Sequence, residues 1–412
     1  MNRIILIGNG FDLAHGLETK YEHFIKYLWR QIIEDLKKND NNKMVSIVDS
    51  KGFSYDSSFF KNETNLDTIL SYKEFCSYLF EYDLSIKFNN KFLEIISKAL
   101  TLNNWVDIEL EYYKELKNII SNASDYYRFV RNNTSIEKLN DDFEEIKKAL
   151  ETYLTILTYD KTRKPVQRKD NLFESIYSNF EVKDLTNYGT NEYAIEKYYE
   201  YEKGLANKES EMLKFQQFLD DKGVDVNRSR NIIEEIKEEI SRPNVNFFDL
   251  SPRNILLLNF NYTNTDMLYD KNKTQTIHIH GQLQNSVNPI IFGYGDENDE
   301  LHQQIENLGG RYLDNVKTIN YSRKRNYKNL LDFIEGGLYQ VFIMGHSCGM
   351  SDKTLLKTLF EHKNCVSIKP FYYIDNEGHN NYDDLIKNIY RIFSDKALMR
   401  AKVVNQDDCE EI

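Results

Sequence analysis

The stretch "IILIGNGFDLAHG", from Ile4 to Gly16, places a glycine turn directly after a short apolar run near the start of the chain. The apolar run predicts a buried strand, and the spacing Gly8-x-Gly10 allows the backbone to turn sharply where that strand ends. Such a turn presents N–H groups to an anion, and the dipole of a following helix adds attraction. Because Leu13 stands where the full dinucleotide fingerprint has a third glycine, this turn alone favours a tight connection without a ligand.

A second stretch, "VFIMGHSCGMSDKTLL" from Val341 to Leu356, repeats the order of strand, glycine turn and helix. Gly345 and Gly349 follow the apolar run, and the hydroxyl group of Ser347 is available as a donor. Two such turns at the carboxyl ends of strands in one sheet can face a common crevice, which is where open α/β sheets bind ligands. The pair of turns therefore favours a nucleotide-sized ligand over two coincidental turns.

Strand-like segments lie on both sides of a long helical stretch. They cover residues 3–7, 254–260, 276–280, 289–292, 341–344 and 366–374. Several are continuous apolar runs, which suit strands of a mostly parallel sheet that is covered on both faces. Helical patterns follow at least three of them, and one of these helices is opened by the capping-box pattern Thr19-x-x-Glu22. The sequence thus predicts an α/β fold with a Rossmann-like, mostly parallel sheet.

A large helical insertion is predicted between the first and the second core strands. Only four of the 17 glycines lie between Gly16 and Gly281, and apolar residues recur every three or four positions, for example from Leu139 to Leu154. The predicted core is discontinuous. It consists of residues 1–36 and 245–400, the insertion covers residues 37–244, and residues 401–412 form a polar tail that we expect to be loose.

Charge, cysteine content and hydropathy argue against several classes of protein. The chain has 53 basic and 65 acidic residues, a net charge of −12 and a pI near 5.3, which oppose extensive binding to a phosphate backbone but allow a local basic patch. Its four cysteines show no CxxC spacing, so neither a disulfide framework nor a zinc knuckle is indicated. No apolar run approaches the roughly 20 residues of a membrane helix. We expect a cytoplasmic protein, and neither a membrane nor nucleic acid is the expected partner.

Polar residues lie between the two glycine turns. The stretch "LLLNFNYTNTDML" places Asn259, Asn261 and Thr263 at alternate positions where an apolar strand ends, which puts them on one face. Asn261 either has a catalytic role or caps a helix that begins at about Asn264, as asparagine commonly does at such junctions. The sequence leaves both interpretations open.

The stretch "TIHIHGQL" places His278 and His280 on one face of the next strand. A buried histidine bonded to a carbonyl group is the ordinary explanation for one of them, and two at this spacing can alternatively bind a metal. We expect no metal, because the nearby Asp296, Asp299 and His302 lack a recognised ligand spacing. His280, which precedes a glycine, is a candidate general base.

Two further stretches are interpreted as structural. The acidic stretch "FGYGDEND", Phe292 to Asp299, either closes over a site or, as we expect, simply connects two elements. In "NWVDIELEYY", the apolar positions, which include Trp105 and Ile108, form the core face of a predicted helix. Asp107 and Glu109 of the same stretch are expected to be solvated rather than catalytic.

Several blocks taken together resemble the bacteriophage abortive infection AbiH family. In chain order they are "IGNGFDLAHGL", "NWVDIE", "NFNYTNT", "IHIHG", "FGYGD" and "MGHSCGMSD". The family in turn looks like a distant branch of the sirtuin-type NAD-binding fold. That resemblance implies that the first glycine loop holds the phosphates of the dinucleotide, that an asparagine orients the nicotinamide ribose region, and that a histidine followed by glycine is the base.

Carried over position by position, the resemblance implies that Asn261 and His280 are the catalytic residues. The implied NAD-binding residues are Gly8, Asn9, Gly10, Phe11, Asp12, Asn259, Thr263, Gly345, His346 and Ser347. Asn259 and Thr263 replace the threonine and the aspartate that flank the asparagine in sirtuins, and Asn9, with Phe11 and Asp12, replaces an alanine-type loop. Because the zinc-binding cysteine quartet is also missing, we do not expect deacetylation of protein lysine.

The expected function is that of an anti-phage abortive-infection effector that binds NAD in a sirtuin-like crevice and hydrolyses it at the nicotinamide glycosidic bond. The NAD-hydrolysing defence relatives of sirtuins also lack the zinc module. Because constant NAD hydrolysis would kill the host, we expect an inactive resting state that infection releases. We expect activation to involve assembly into a homo-oligomer, or a phage-derived trigger or partner protein that binds the helical insertion.

Three other functions stay open from the sequence. The protein is alternatively a nucleotide-binding sensor without turnover, a metal-dependent nuclease toxin that uses His278, His280 and nearby acids, or a helical interaction protein whose sheet has lost its chemistry. Retained binding of ADP-ribose or NAD without turnover would favour the first, and metal-dependent cleavage of DNA or RNA the second. An empty crevice would favour the third.

Overall fold

The computed structural model describes residues 1–38, 42–54, 60, 66, 69, 71–103, 107–121, 135–160, 164–202, 209–223, 229–242, 247–271, 274–295, 302–308, 310–375 and 377–412. The chain forms two compact units. The first contains residues 1–16, 165–282 and 321–412, and the second contains residues 17–164 and 283–320. These limits differ from the predicted division. Residues 17–36 and 283–320, which were predicted to be in the core, belong to the second unit, and residues 165–244 of the predicted insertion belong to the first.

The strands and helices are as follows, in chain order. The strands are β1 (Asn2–Ile7), β2 (Val45–Asp49), β3 (Leu84–Phe88), β4 (Ile255–Asn259), β5 (Thr274–His278), β6 (Tyr339–Met344), β7 (Cys365–Tyr372) and β8 (Glu410–Glu411). The α-helices are α1 (Asn9–Ala14), α2 (Tyr21–Lys38), α3 (Tyr72–Glu81), α4 (Lys91–Asn103), α5 (Ile108–Ile120), α6 (Ser135–Tyr159), α7 (Asp170–Tyr177), α8 (Asn187–Glu202), α9 (Glu209–Lys222), α10 (Ser229–Ile240), α11 (His302–Leu308), α12 (Lys317–Tyr321), α13 (Asn326–Glu335), α14 (Lys353–Glu361), α15 (Tyr382–Ile392) and α16 (Lys396–Lys402). Among these described helices, none combines the length and the apolar character that crossing a membrane requires.

The first unit is built on an all-parallel sheet of six strands, in the order β5-β4-β1-β6-β7-β8. Numbered along the chain within this sheet alone, the order is 3-2-1-4-5-6, which is the order of doubly wound dinucleotide-binding sheets. The order reverses at β1, which lies between β4 and β6. All residues of β1, β4 and β6 are buried, which explains their continuous apolar sequences. The predicted α/β fold with a mostly parallel sheet is confirmed.

The predicted insertion lies between β1 and β4, and its described residues are mostly helical. The apolar patterns beginning at Ile108 and Leu139 fall in α5 and α6, whereas Trp105 lies outside the described residues. The insertion also contains an antiparallel pair of strands, β2 and β3, which the sequence analysis did not predict. In β3 apolar and polar residues alternate, which is typical of a half-buried strand, so the sequence carried a signal for this pair.

Three expectations for the second half of the chain are wrong. Residues 289–292 form no strand, and just beyond them Tyr294 makes only an isolated bridge to Val316. Strand β5 ends at His278, so His280 lies in the turn that follows. The tail is not loose, because β8 pairs in parallel with Phe371 and Tyr372 of β7 and thereby uses the open backbone groups of that edge.

A buried ion pair fixes the segment before α8 to the sheet. Nζ of Lys369, in β7, lies 2.5 Å from Oδ1 of Asp184 and 2.9 Å from Oε1 of Glu410. Asp184 and Lys369 are 3% and 1% exposed. The carbonyl oxygen of Asp184 also accepts hydrogen bonds from Gln340 and Ser367, at 2.5 and 2.8 Å. Asp184 thus supplies the hydrogen-bond acceptor for polar side chains of both β6 and β7.

Replacing Lys369 by methionine should destabilise the first unit strongly. The change keeps the length of the side chain but leaves the buried carboxylate of Asp184 without its cation, which typically costs about 3–5 kcal/mol. Urea denaturation followed by circular dichroism would measure this loss. Lys363→Met, at an exposed lysine, is the matched control. Equal free energies of unfolding for the two variants would contradict a stabilising role of the buried ion pair.

Candidate functional site

The two glycine turns lie directly against each other at the carboxyl ends of β1 and β6. The N–H group of Gly8 donates to the carbonyl oxygen of Met344 at 3.2 Å, and that of Gly10 donates to the carbonyl oxygen of Gly345 at 2.7 Å. A Cβ atom on Gly8 would lie 2.4 Å from Cα of His346, and one on Gly10 would lie 2.8 Å from Cα of Gly345. Gly345 also has φ of +78°, a value that side chains disfavour. These glycines are therefore required for the close approach of two backbones.

This close packing changes the expected role of the glycine N–H groups. Those of Gly8 and Gly10 donate to carbonyl groups of the protein, so an anion at these turns has to use other donors. The side chains of Asn9 and Ser347 are exposed on the two turns. Phe11 is fully buried, and its ring packs against His15 and Tyr269 with centroid distances of 4.7 and 5.1 Å, so its side chain belongs to the core.

The end of β4 and the loop after it carry three of the predicted residues, Asn259, Asn261 and Thr263, and a hydrogen-bond network holds this loop. The side chain of Asn259 accepts from the backbone N–H group of Asn261 at 2.8 Å and donates to Asp266 at 2.7 Å. Nδ2 of Asn261 donates to the carbonyl oxygen of Gly8 at 2.9 Å. Asn261 therefore joins the β4 loop to the first glycine turn. It does not cap the following 3₁₀ helix, Thr265–Tyr269, for which no side-chain cap is formed.

Asp12 is a buried carboxyl group at the centre of this network. Its side chain is 1% exposed, and Oδ2 accepts a hydrogen bond from the Thr263 hydroxyl group at 2.6 Å. Oδ1 has no hydrogen-bond partner of normal geometry among the described residues. Burial raises the pKa of Asp12 to about 6, against the opposing effect of the Thr263 and Thr265 hydroxyl groups. This carboxyl group therefore changes its charge close to neutral pH.

His280 lies in the turn after β5, with both ring nitrogens engaged. Nδ1 is 3.1 Å from the carbonyl oxygen of Phe260, which can only accept, so we assign the ring proton to Nδ1. Nε2 lies 3.0 Å from the hydroxyl group of Tyr321 and 3.1 Å from Oδ1 of Asp352. In the neutral ring Nε2 is then a proton acceptor, and after proton uptake it donates to the carboxylate of Asp352.

A second histidine lies on the other side of the same carboxylate. Nδ1 of His346 accepts from the N–H group of Cys348 at 3.0 Å, so its ring proton is on Nε2, which is 3.5 Å from Oδ2 of Asp352. Both histidines and Asp352 are at least nine-tenths buried. The ring of Phe260 packs against both imidazoles, with centroid distances of 5.1 and 4.2 Å. Asp352 thus bridges His280 and His346 in a low-dielectric setting that strengthens charge interactions.

Residues 4–374 of the chain match the family model described as Bacteriophage abortive infection AbiH. The chain belongs to this family. The expected role in abortive-infection defence against bacteriophage is thereby confirmed. Comparison with curated proteins and with solved structures gave no match.

In this AbiH-family chain, the sequence analysis missed Asp352 and Tyr321. Asp352 was not singled out as a site residue, although its block "MGHSCGMSD" contributed to the resemblance. It ends a 3₁₀ turn before α14, and its side chain does not cap that helix. Nothing in the sequence marks Tyr321, which lies 41 residues from its partner His280.

His278 does not share a site with His280. Its Nε2 lies 3.3 Å from Oδ2 of Asp266, whereas His280 faces Asp352. In the described part of the chain, no group of three or more histidine, cysteine and acidic side chains is arranged to hold a metal ion. Asp296 and Asp299 lie outside that part.

The second unit contains the AbiH block "NWVDIE", and one expectation about it is wrong. Glu109 is not solvated but 5% exposed, with Oε2 2.8 Å from Nζ of Lys317 and Oε1 accepting from the N–H group of Gly293 at 3.0 Å. A Cβ atom on Gly293 would lie 2.0 Å from the carbonyl oxygen of Asn315. Asp107 caps α5, because its side chain accepts from Leu110 N–H. Both acids therefore hold the second unit together.

Proposed function

We propose that this AbiH-family protein binds NAD at the carboxyl edge of its parallel sheet, in a sirtuin-like manner, and hydrolyses the bond between nicotinamide and ribose. One observation carries the proposal. Asn261, His280 and the two glycine turns follow four neighbouring strands, β4, β5, β1 and β6, at the point where the strand order reverses. Open α/β sheets bind nucleotides at that point.

The polar groups at this edge suit a nucleotide. The exposed side chains of Asn9 and Ser347 supply donors on the two turns. Oδ1 of the buried Asp12 carboxyl group has no hydrogen-bond donor of normal geometry among the described residues, and a ribose hydroxyl group is a donor of the required kind. The amide of Asn261 is held by Gly8, so that its oxygen can orient the nicotinamide carboxamide or a water molecule.

His280 is the proposed base for hydrolysis. Nicotinamide leaves with the electrons of the glycosidic bond and needs no proton, so the reaction yields nicotinamide, ADP-ribose and one proton from water. Nε2 of His280 accepts that proton, and Asp352 stabilises the resulting cation. A positioned general base of this kind typically increases the rate about 10²–10⁴-fold.

The site is closed in this conformation. His280 is 5% exposed, and Nε2 is covered by the Tyr321 hydroxyl group and by Asp352. Water reaches Nε2 only after Tyr321 moves away. This agrees with an inactive resting state that infection releases.

Release of nicotinamide tests the proposal directly. Full-length wild-type, His280→Ala and Asn261→Ala proteins would be isolated from phage-challenged cells and incubated with NAD. We expect nicotinamide and ADP-ribose from the wild type, with a rate about 10²–10⁴-fold lower for His280→Ala. Equal rates for the wild type and both variants would contradict the assignment, whereas NAD binding without any turnover by the wild type would favour a sensor.

A further inference from the structure

Four cations lie close together just after Tyr321, in the first unit. They are Arg323, Lys324, Arg325 and Lys328, and we refer to them as the basic segment. All four side chains are exposed. Among the described residues, no carboxylate forms an ion pair with any of them, although many other surface lysines and arginines of the chain are paired. This run of cations contrasts with the net charge of −12 of the whole chain.

The basic segment is held close to the candidate site by two hydrogen bonds, one just before it and one within it. Before it, the hydroxyl group of Tyr321 lies 3.0 Å from Nε2 of His280. Within it, the side chain of Asn326 donates to the carbonyl oxygen of His278 at 2.9 Å. The rings of Tyr321 and Tyr327 are stacked, with centroids 5.8 Å apart. Since consecutive Cα atoms are about 3.8 Å apart, the cations begin within about 8 Å of Tyr321 along the chain.

No lysine or arginine is among the described side chains that form the hydrogen-bond network and the histidine pair of the candidate site. The side chains that the network and the histidine pair bring together include three acids, Asp12, Asp266 and Asp352. The N–H groups of Gly8 and Gly10 are occupied by carbonyl groups. An anionic pyrophosphate therefore needs cations from elsewhere, and arginine and lysine are the side chains that bind phosphate most strongly. The N-terminus of α13, which begins at Asn326, adds the positive end of a helix dipole.

We propose that the basic segment is the phosphate subsite of this site and holds the pyrophosphate of the dinucleotide beside His280. The proposal rests on the proposed function, since it names the groups that bind the charged part of NAD. The ligand that it takes is a dinucleotide or ADP-ribose, and it distinguishes these from nucleosides, which lack the pyrophosphate.

Binding to full-length protein that cannot turn NAD over tests this subsite. In the His280→Ala background, Arg323, Lys324 and Arg325 would be replaced together by glutamine. The control replaces three exposed cations elsewhere in the first unit, Arg230, Lys387 and Arg400, and so has the same net charge. Isothermal titration calorimetry with NAD, ADP-ribose and nicotinamide riboside, at low and at high salt, would give the affinities, and circular dichroism would establish folding.

We expect the triple variant to bind NAD and ADP-ribose about 10- to 100-fold more weakly than the control, as for the loss of one or two charge-assisted hydrogen bonds. Its affinity for nicotinamide riboside should not change, and the salt dependence of NAD binding should decrease. If the triple variant bound NAD as tightly as the control, the proposed subsite would be wrong, but the proposed function would not be contradicted. No NAD binding by the His280→Ala protein or by the wild type would overturn both proposals.

Discussion

Replacing Asp352 by asparagine is expected to lower the rate of NAD cleavage about 10²–10⁴-fold, with little change in NAD affinity. The carboxylate lies 3.1 Å from Nε2 of His280. In the proposed mechanism it stabilises the cation that forms when His280 takes a proton from water. Asparagine has the same shape but no charge. Initial rates of nicotinamide release over a range of NAD concentrations would separate kcat from KM.

The pH profile distinguishes a positioning role of Asp352 from a structural one. Without the negative charge, protonated His280 is less stable, so the acidic limb of the rate profile should move to lower pH. Asp383→Asn, at an exposed aspartate, is the control and should leave both rate and profile unchanged. A fall in rate with an unmoved profile, or a change in KM alone, would contradict the role assigned here.

Replacing Asp12 by asparagine is expected to stabilise the protein at about pH 7.5 by about 1–3 kcal/mol. Burial raises the pKa of Asp12 from 3.8 to about 6, so the folded state binds the proton more tightly than the unfolded state. The contribution of Asp12 to the free energy of unfolding is therefore most favourable at low pH, falls as the pH rises from about 4 to about 6, and stays lower above that range. This pKa shift corresponds to a destabilisation of the folded state by at most about 3 kcal/mol above pH 6. Asparagine avoids this cost because it carries no charge.

Urea denaturation at a series of pH values would measure this effect. The difference between Asp12→Asn and the wild type should disappear toward about pH 4, and the exposed control Asp383→Asn should show no such trend. A pH-independent difference would contradict a buried carboxyl group with a raised pKa. Loss of NAD binding by the more stable variant would show that the charge is kept for function at a cost in stability.

Much of the first unit could be predicted because its strands are buried on both faces. Continuous apolar runs mark β1, β4, β6 and β7, and glycines mark the turns after β1 and β6. The short strand β8 could not be predicted, because two glutamates pair with β7 through their backbones alone. Its position depends on an open sheet edge, which is a property of the folded chain.

The candidate site could be predicted only where a residue lies at a strand end. Asn261 and His280 were proposed in this way, but the residues that contact them were not predicted. Asp352 and Tyr321 reach His280 from 72 and 41 residues away along the chain, and no spacing rule connects such residues. Glu109 was misjudged for the same reason, since its partner Lys317 comes from a distant segment of the second unit.

The glycine turns show a further limit of motif reasoning. The spacing Gly8-x-Gly10 correctly predicted a sharp turn, but it could not show that Gly345 would lie against that turn. The close contact needs glycine whether or not a ligand is bound, because the N–H groups of Gly8 and Gly10 bind neighbouring carbonyl groups. A glycine-rich turn is therefore evidence for close backbone approach first and for a phosphate site second.

The central claim is that infection releases NAD hydrolysis at His280, and metabolite levels in infected cells test it most directly. Cells carrying the wild type or His280→Ala would be challenged with phage, and NAD, ADP-ribose and nicotinamide would be quantified by mass spectrometry together with the integrity of DNA and RNA. We predict that NAD falls and that ADP-ribose and nicotinamide rise only with phage and only in wild-type cells. Steady NAD in infected wild-type cells, with degraded nucleic acid, would contradict the account and favour a nuclease.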